Sequence, residues 1–269
     1  RYARGCESFI IVMRFIDAHT HLSDVAFIED LSAVRERYLS AGVIAAVDSG
    51  CDGATSKSAL NLSEKFPEVY FTAGVHPENA ASGGDIDEII PLLVNKKCLA
   101  VGEAGFDKHY EGYDYEVQKA CFLKQICLAD KFKLPLVIHS RDAAADTLSL
   151  LKENVDKLNC GFLMHCYSYS LELVDEFKRM GGYFSFGGVI TFKNAKKAEI
   201  IKSVGIDRIL FETDAPYLSP EPLRGRRNEQ ANVKFVYEYA AGVLGVTVCE
   251  LAGCVEENFK RLFTKYSAK

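Results

Sequence analysis

Phe15–Leu22 reads FIDAHTHL. An apolar pair, Phe15 and Ile16, runs into Asp17, His19 and His21. In an extended chain, residues two apart point the same way. The imidazoles of His19 and His21 therefore stand side by side at the end of a short strand. Neutral imidazole is the commonest side-chain metal ligand, and two on one rigid strand make half a metal site. An ordinary polar loop would contain the same letters by chance, so the rest of the chain has to decide.

Seven further apolar runs follow: Val43–Val47, Val69–Ala73, Cys98–Val101, Leu136–Ile138, Phe162–Met164, Tyr183–Phe186 and Ile209–Phe211. Each is short and nearly continuous, as expected of parallel strands buried on both faces. The segments between them carry helical spacing. Val117, Cys121, Leu128 and Phe132 share one face, and Val233, Val236, Tyr237 and Ala240 share another, with Gly245 as the stop. Thr247 and Glu250 form a capping box. They open a terminal helix in which Leu251, Val255, Phe259 and Leu262 align. Lys193 and Asn194 are read as starting a helix after Gly187–Gly188. Eight strand–helix units in 269 residues fit a closed (β/α)8 TIM barrel with an extra C-terminal helix, a fold of about 250 residues. An open doubly wound sheet is the runner-up. Met13 is read as the natural start, residues 1–12 as an added extension, and 13–269 as one domain. No glycine-rich phosphate loop follows any strand.

Composition narrows the function. The hydrophobic fraction of 48% supplies a sizeable core. A net charge of −5 and a pI near 5.8 argue against holding nucleic acid by bulk charge, though not against a local basic crevice. No stretch is long and apolar enough to span a membrane, and FIIVM is too short for a signal peptide core. The nine cysteines include no CxxC pair and read as reduced core thiols. They point to a reducing compartment, the cytoplasm or a eukaryotic nucleus. No obligate protein partner is indicated.

In a barrel, chemistry sits where strands exit at the C-terminal face. There this sequence places His19 and His21, His76, Glu103, His139-Ser140-Arg141, His165-Cys166 and Glu212-Thr213-Asp214. Five of the six histidines lie at such exits, and only His109 lies deeper in a loop. Imidazole plus carboxylate without thiolate suits zinc, manganese or iron and tolerates magnesium. Four histidines and two carboxylates exceed one tetrahedral ion but suit two ions sharing a carboxylate. Such ions sit roughly 3.5–4 Å apart and stabilise both oxygens of a displacement, as phosphodiester hydrolysis needs.

FIDAHTHL, GVHPENA, VGEAGFD, PLVIHSRDA, MHCYSYS, FSFGGVITFKNA, LFETDAPYLSP and RGRRNEQANV occur in one order. In that order the chain resembles the TatD-family metal-dependent deoxyribonucleases, amidohydrolase-like TIM barrels, from about Phe15 to the terminal helix. The resemblance implies DNA as substrate and two divalent ions (Mg2+, Mn2+ or Zn2+). One would be held by His19, His21, Glu103 and Asp214, the other by Glu103, His139 and His165, with Glu103 bridging. Tyr167 and Tyr169 replace the phenylalanine and glycine usual after MHC.

Beside each role stands a plainer one. Asp214, with Glu103 the catalytic pair, acts as general base or as a ligand only. His76 contacts the scissile phosphate, as the resemblance suggests, or makes a structural hydrogen bond. Arg141 forks onto phosphate or pairs with Asp142. Arg224, Arg226 and Arg227 bind phosphate or form a solvated charge run. Tyr167 and Tyr169 stack on an unpaired base at a single-stranded end, or pack. Asp17 braces a ligand from behind. The resulting reading is a DNA phosphodiesterase working from an end, by a metal-activated water. The alternatives are an amide or lactone hydrolase of the wider amidohydrolase superfamily, and a catalytically silent scaffold.

Overall fold

A computed structural model describes residues 13–80 and 86–267. The extension read at residues 1–12 lies outside them. All eight apolar runs are strands: β1 (Phe15–Thr20), β2 (Val43–Ser49), β3 (Val69–Ala73), β4 (Cys98–Asp107), β5 (Leu136–Arg141), β6 (Phe162–Met164), β7 (Gly182–Phe186) and β8 (Ile209–Phe211). They are parallel and lie in the order β1 to β8. Beyond the end of β8, Asp214 N donates to His19 O (3.0 Å) and His21 N donates to Ala215 O (2.8 Å), which joins the last strand to the first. The sheet is thus a (β/α)8 barrel, and the open doubly wound alternative falls.

Four strands run past their apolar stretches. β4 departs most: Glu103 sits mid-strand rather than at its end. Two glycines permit this. A Cβ on Gly105 (φ +149°) would meet His139 O at 1.9 Å, and one on Gly102 (φ +153°) would meet Val137 O at 2.5 Å. Bare backbone lets β4 lie directly on β5 across a register shift between Val101 and Ala104. Glu103 and His139 meet over that contact.

Helices α1 (Leu31–Ser40), α2 (Gly53–Lys65), α3 (Ile86–Ile89), α4 (Tyr115–Phe132), α5 (Ala144–Glu153), α6 (Glu172–Arg179), α7 (Ala198–Val204) and α8 (Val233–Leu244) alternate with the strands, and α9 (Val248–Leu262) is the extra C-terminal helix. The last two follow the sequence closely. On α8, Val233, Val236, Tyr237 and Ala240 are buried and Gly245 ends the helix at φ +71°. On α9, Thr247 and Glu250 form the capping box and the aligned apolar residues are buried. Tyr237 latches α8 to the barrel. Its ring packs between Phe15 and Phe211, and its hydroxyl bonds both Ile16 N (3.2 Å) and Ile16 O (3.1 Å).

Three expectations change. α4 buries Gln118, Phe122, Gln125, Ile126 and Ala129 alongside Leu128, while Val117, Cys121 and Phe132 are only partly covered. Two glutamines face inward because barrel backbone there needs partners. Lys193 and Asn194 lie in a turn, and α7 starts only at Ala198. Of the eight described cysteines, all free, Cys98 alone is buried, and Cys127 and Cys249 are exposed.

Candidate metal centre

Glu103, 2% exposed, is the hub of the barrel mouth. Its Oε2 faces His19 Nε2 (3.2 Å) and His21 Nε2 (3.8 Å). Asp214 Oδ1 closes that group, 3.4 Å from His21 Nε2 and 3.8 Å from His19 Nε2. The other oxygen, Oε1, faces His139 Nδ1 (2.9 Å), His165 Nε2 (2.9 Å) and His76 Nε2 (3.6 Å). The six residues read as metal ligands therefore converge, split between the two oxygens of one carboxylate. They line a cavity of about 700 Å³ together with His76 and Arg141, except His19, which is wholly buried behind it.

Hydrogen bonding from behind sets which nitrogen each ring offers. His21 Nδ1 lies 3.2 Å from the Ser49 carbonyl, an acceptor only, so Nδ1 carries hydrogen and Nε2 presents its lone pair to the carboxylates. His139 Nε2 donates to Asp107 Oδ2 (2.9 Å), which leaves the lone pair of Nδ1 toward Glu103. His19 Nε2 is buried with no hydrogen-bond partner. Burial disfavours the ionised form of Glu103, yet His165 and His19 hold it well below the usual carboxylate range. Asp214 is likewise lowered, by His21 against its burial. A buried anion and a partly buried one thus face imidazole nitrogens, and a positive charge reconciles them. Without a metal two of the rings favour protonation: burial opposes it, but Asp214 raises His21 and Glu103 raises His165 well above the ordinary imidazole value, while burial and the neighbouring His165 lower His19. A divalent cation held there would displace those protons. The donor set therefore fits a metal, and the donor atoms of His19, His21 and Glu103 cluster within 4.8 Å.

His76 differs from the other rings. Its Nδ1 accepts from the Glu78 amide (3.2 Å), so its proton is on Nε2, facing the cavity. Burial lowers it to about 4, which keeps it neutral near pH 7. It is a hydrogen-bond donor at the mouth rather than a lone pair.

The supporting residues were not legible in the sequence. Ser49 on β2 serves two histidines, its hydroxyl 3.1 Å from His19 Nδ1 and its carbonyl on His21. Asp107 holds His139, and Gln118 bonds both the N–H and the C=O of Asp107 (3.1 and 2.9 Å). Gln125, two turns along the same face, does the same for Val75 beside His76 (2.9 Å each). Glu212 accepts from Cys166 N (2.7 Å) and Ser185 Oγ, with His165 Nδ1 at 3.5 Å. The available signals were the alternation from Glu103 to Asp107 and the seven-residue spacing of the glutamines. Asp17 accepts from Thr213 N (2.9 Å) and Oγ1 (2.6 Å), so it braces the residue before Asp214 and not a ligand ring.

Other expected residues fall elsewhere. Arg141 lines the cavity, 5.5 Å over the Tyr110 ring, while Asp142 meets His109 (3.1 Å). Arg224 stacks on Phe192 (4.4 Å). Arg227 is tied to Asp30 and Glu229. Neither these nor Arg226 line the cavity. Tyr167 is buried against Phe177, Phe184 and Phe186. The Tyr169 hydroxyl bonds Ser140 Oγ (2.8 Å) and Ala143 N (3.1 Å). Tyr167 is buried and neither tyrosine lines the cavity, so the base-stacking reading finds no ring of theirs at the mouth.

A barrel whose mouth presents imidazoles and carboxylates around one shared glutamate defines a metal-dependent hydrolase. The comparisons agree. A sequence profile described as TatD related DNase matches residues 16–264, and the chain belongs to that family. It is 40% identical over 250 residues to the uncharacterized metal-dependent hydrolase YabD of Bacillus subtilis, covering 92% of this chain and 98% of that one. It is 38% identical over 196 residues to the uncharacterized metal-dependent hydrolase YcfH of Escherichia coli K12, covering 72% and 74%. The crystal structure of YJJV, a TATD homolog from Escherichia coli, superposes with a TM-score of 0.88 at 26% identity, covering 94% of this chain and 99% of that one.

Proposed function

We propose that this protein is a metal-dependent deoxyribonuclease that hydrolyses phosphodiester bonds of DNA and releases nucleotides from an end. The observation that carries this reading is the division of Glu103: each oxygen faces its own set of donors, as a carboxylate shared by two ions does. His19, His21 and Asp214 would hold one ion with Oε2; His139 and His165 would hold the other with Oε1. Divalent ions there (Mg2+, Mn2+ or Zn2+) would supply Lewis acidity to water and phosphate.

The chain's own residues do the rest. Asp214 remains ionised, and its carboxylate orients the attacking water and accepts its proton. His76 Nε2–H donates to a phosphate oxygen, where its neutrality leaves it a donor that does not repel the metal. Arg141, at the open side of the cavity, pairs with a flanking phosphate. Membership of a family described as DNase supports DNA as the substrate.

The test is hydrolysis of 5′- and 3′-labelled oligonucleotides by protein of measured metal content, with and without chelator. Stepwise shortening that stops with chelator and returns with Mn2+ or Mg2+ is expected. Fully metal-loaded protein that leaves DNA intact overturns the reading.

A further inference from the structure

Two aromatic rings are more than half exposed at the barrel mouth, Tyr110 with His109 edge-on at 5.0 Å. Tyr217 is 54% exposed and Tyr110 57% exposed, and both line the cavity that holds Glu103 and Asp214. Water normally disfavours exposing so much ring, and the neighbouring tyrosines Tyr167 and Tyr169 are tied inward. Tyr217 is also fixed in place. Its backbone N–H donates to Asp214 O (2.9 Å), and its carbonyl accepts from the amide of Asn228 (2.8 Å), a wholly buried side chain that also bonds Thr213 O (2.8 Å). The Tyr217 ring lies 6.0 Å, edge to face, from that of His21. Its hydroxyl leans on Asp24 Oδ2 (3.3 Å). On the other side, Tyr110 follows β4 and carries the Arg141 guanidinium over its face. In an eight-strand barrel of sequential order, the exits of β4 and β8 are diametrically opposite.

We infer that Tyr217 and Tyr110 are stacking platforms for the two nucleobases that flank the scissile phosphate. This rests on the deoxyribonuclease reading above. A strand laid across the mouth sets one base on Tyr217, the phosphate over Glu103 and Asp214, and the next base on Tyr110, with Arg141 between ring and backbone. A ring presents an apolar face to any base, so the platforms select an unstacked nucleotide without reading its identity. The pair therefore makes nucleobases on both sides of the phosphate, rather than the phosphodiester alone, the requirement for efficient cleavage.

The experiment crosses ring removal with base removal. Tyr217→Ala, Tyr217→Phe, Tyr110→Ala and the unaltered protein are assayed on oligonucleotides carrying either a normal or an abasic nucleotide on each side of the cleaved bond. Each alanine variant should lose about tenfold in kcat/KM, mainly through KM, on the base-bearing substrate. It should lose little more on the substrate abasic at its own position, because ring and base act as a pair. Tyr217→Phe keeps the ring and should keep the activity. Both residues are mostly exposed, so the fold tolerates the changes. Binding is read separately by the fluorescence of 2-aminopurine in the oligonucleotide, in chelator: stacking should quench it, and the matching alanine variant should restore it. Equal losses on base-bearing and abasic substrates, or no loss, overturn the inference while leaving the nuclease reading intact. Quenching that depends on the tyrosines without any DNA hydrolysis by metal-loaded protein overturns the nuclease reading and leaves the platforms.

Discussion

Replacing Asp107 with asparagine should loosen one half of the metal centre and spare the other. Asp107 Oδ2 holds His139 by Nε2 (2.9 Å), and Oδ1 accepts from His109 N (2.8 Å). Asparagine keeps the shape and the second bond but presents an N–H₂ group to His139 Nε2. The ring then moves its proton to Nδ1, the nitrogen that faces Glu103 Oε1 and His165 Nε2. A lone pair is lost where an ion would bind. Changes of this kind cost about 10–100-fold in metal affinity. At a metal concentration of 100 times Kd, one bound ion stabilises the fold by about 2.7 kcal/mol; after a hundredfold weakening it contributes about 0.4 kcal/mol. For a protein of this size the metal-dependent rise in melting temperature should therefore shrink by about 5 °C or more. Melts with and without chelator measure that increment, so a general change in stability cancels. Calorimetric titration should show one class of site weakened and one unchanged. Wild-type affinity in Asp107→Asn, or an equal loss at both classes, would refute the reasoning.

Four other perturbations have defined outcomes. His76→Gln should lower kcat by about a hundredfold with metal content unchanged, as expected of a lost donor to developing charge; loss of bound metal instead would make His76 a ligand. Tyr237→Phe leaves the buried Ile16 N–H and C=O without their hydroxyl partner, so urea denaturation should show a loss of about 1–3 kcal/mol, and an unchanged midpoint would dismiss the latch. Arg227→Ala should leave the salt dependence of DNA binding unchanged, whereas Arg141→Ala should reduce the salt slope by about one. Arg227 and Arg37 hold Asp30 down to about 2. That stabilising contribution is complete above the ordinary aspartate range, about 4, and vanishes as pH falls through about 2. Urea midpoints between pH 2 and 5 should accordingly fall less steeply in Arg227→Ala.

The contrast between Arg227 and Arg141 shows where reading letters reaches its limit. Both are arginines at or beyond a strand end on the catalytic side, and charge alone assigns them one role. Arg227 is spent on Asp30, almost two hundred residues away in the chain; Arg141 stays at the cavity. The tyrosines divide in the same way. Tyr167 and Tyr169 stand beside a ligand in sequence, yet their hydroxyls bond Ser170 and Ser140. Tyr217, three residues after Asp214, is the ring left in the open.

Closure into a barrel was decided by the backbone bonds that join the ends of β8 and β1, while the sequence by itself determined the eight strands, the capped terminal helix and the imidazoles and carboxylates at the strand exits. Those features follow from periods of two and 3.6 residues and from where a strand stops being apolar, which are local properties of the chain. Only the tertiary structure decided that Glu103 sits mid-strand with one oxygen for each set of histidines. It alone fixed which ring nitrogen His21, His139 and His76 present and which aromatic rings remain exposed. These depend on close approach of β4 to β5 and on hydrogen-bond partners drawn from distant strands, and no local pattern encodes such pairings.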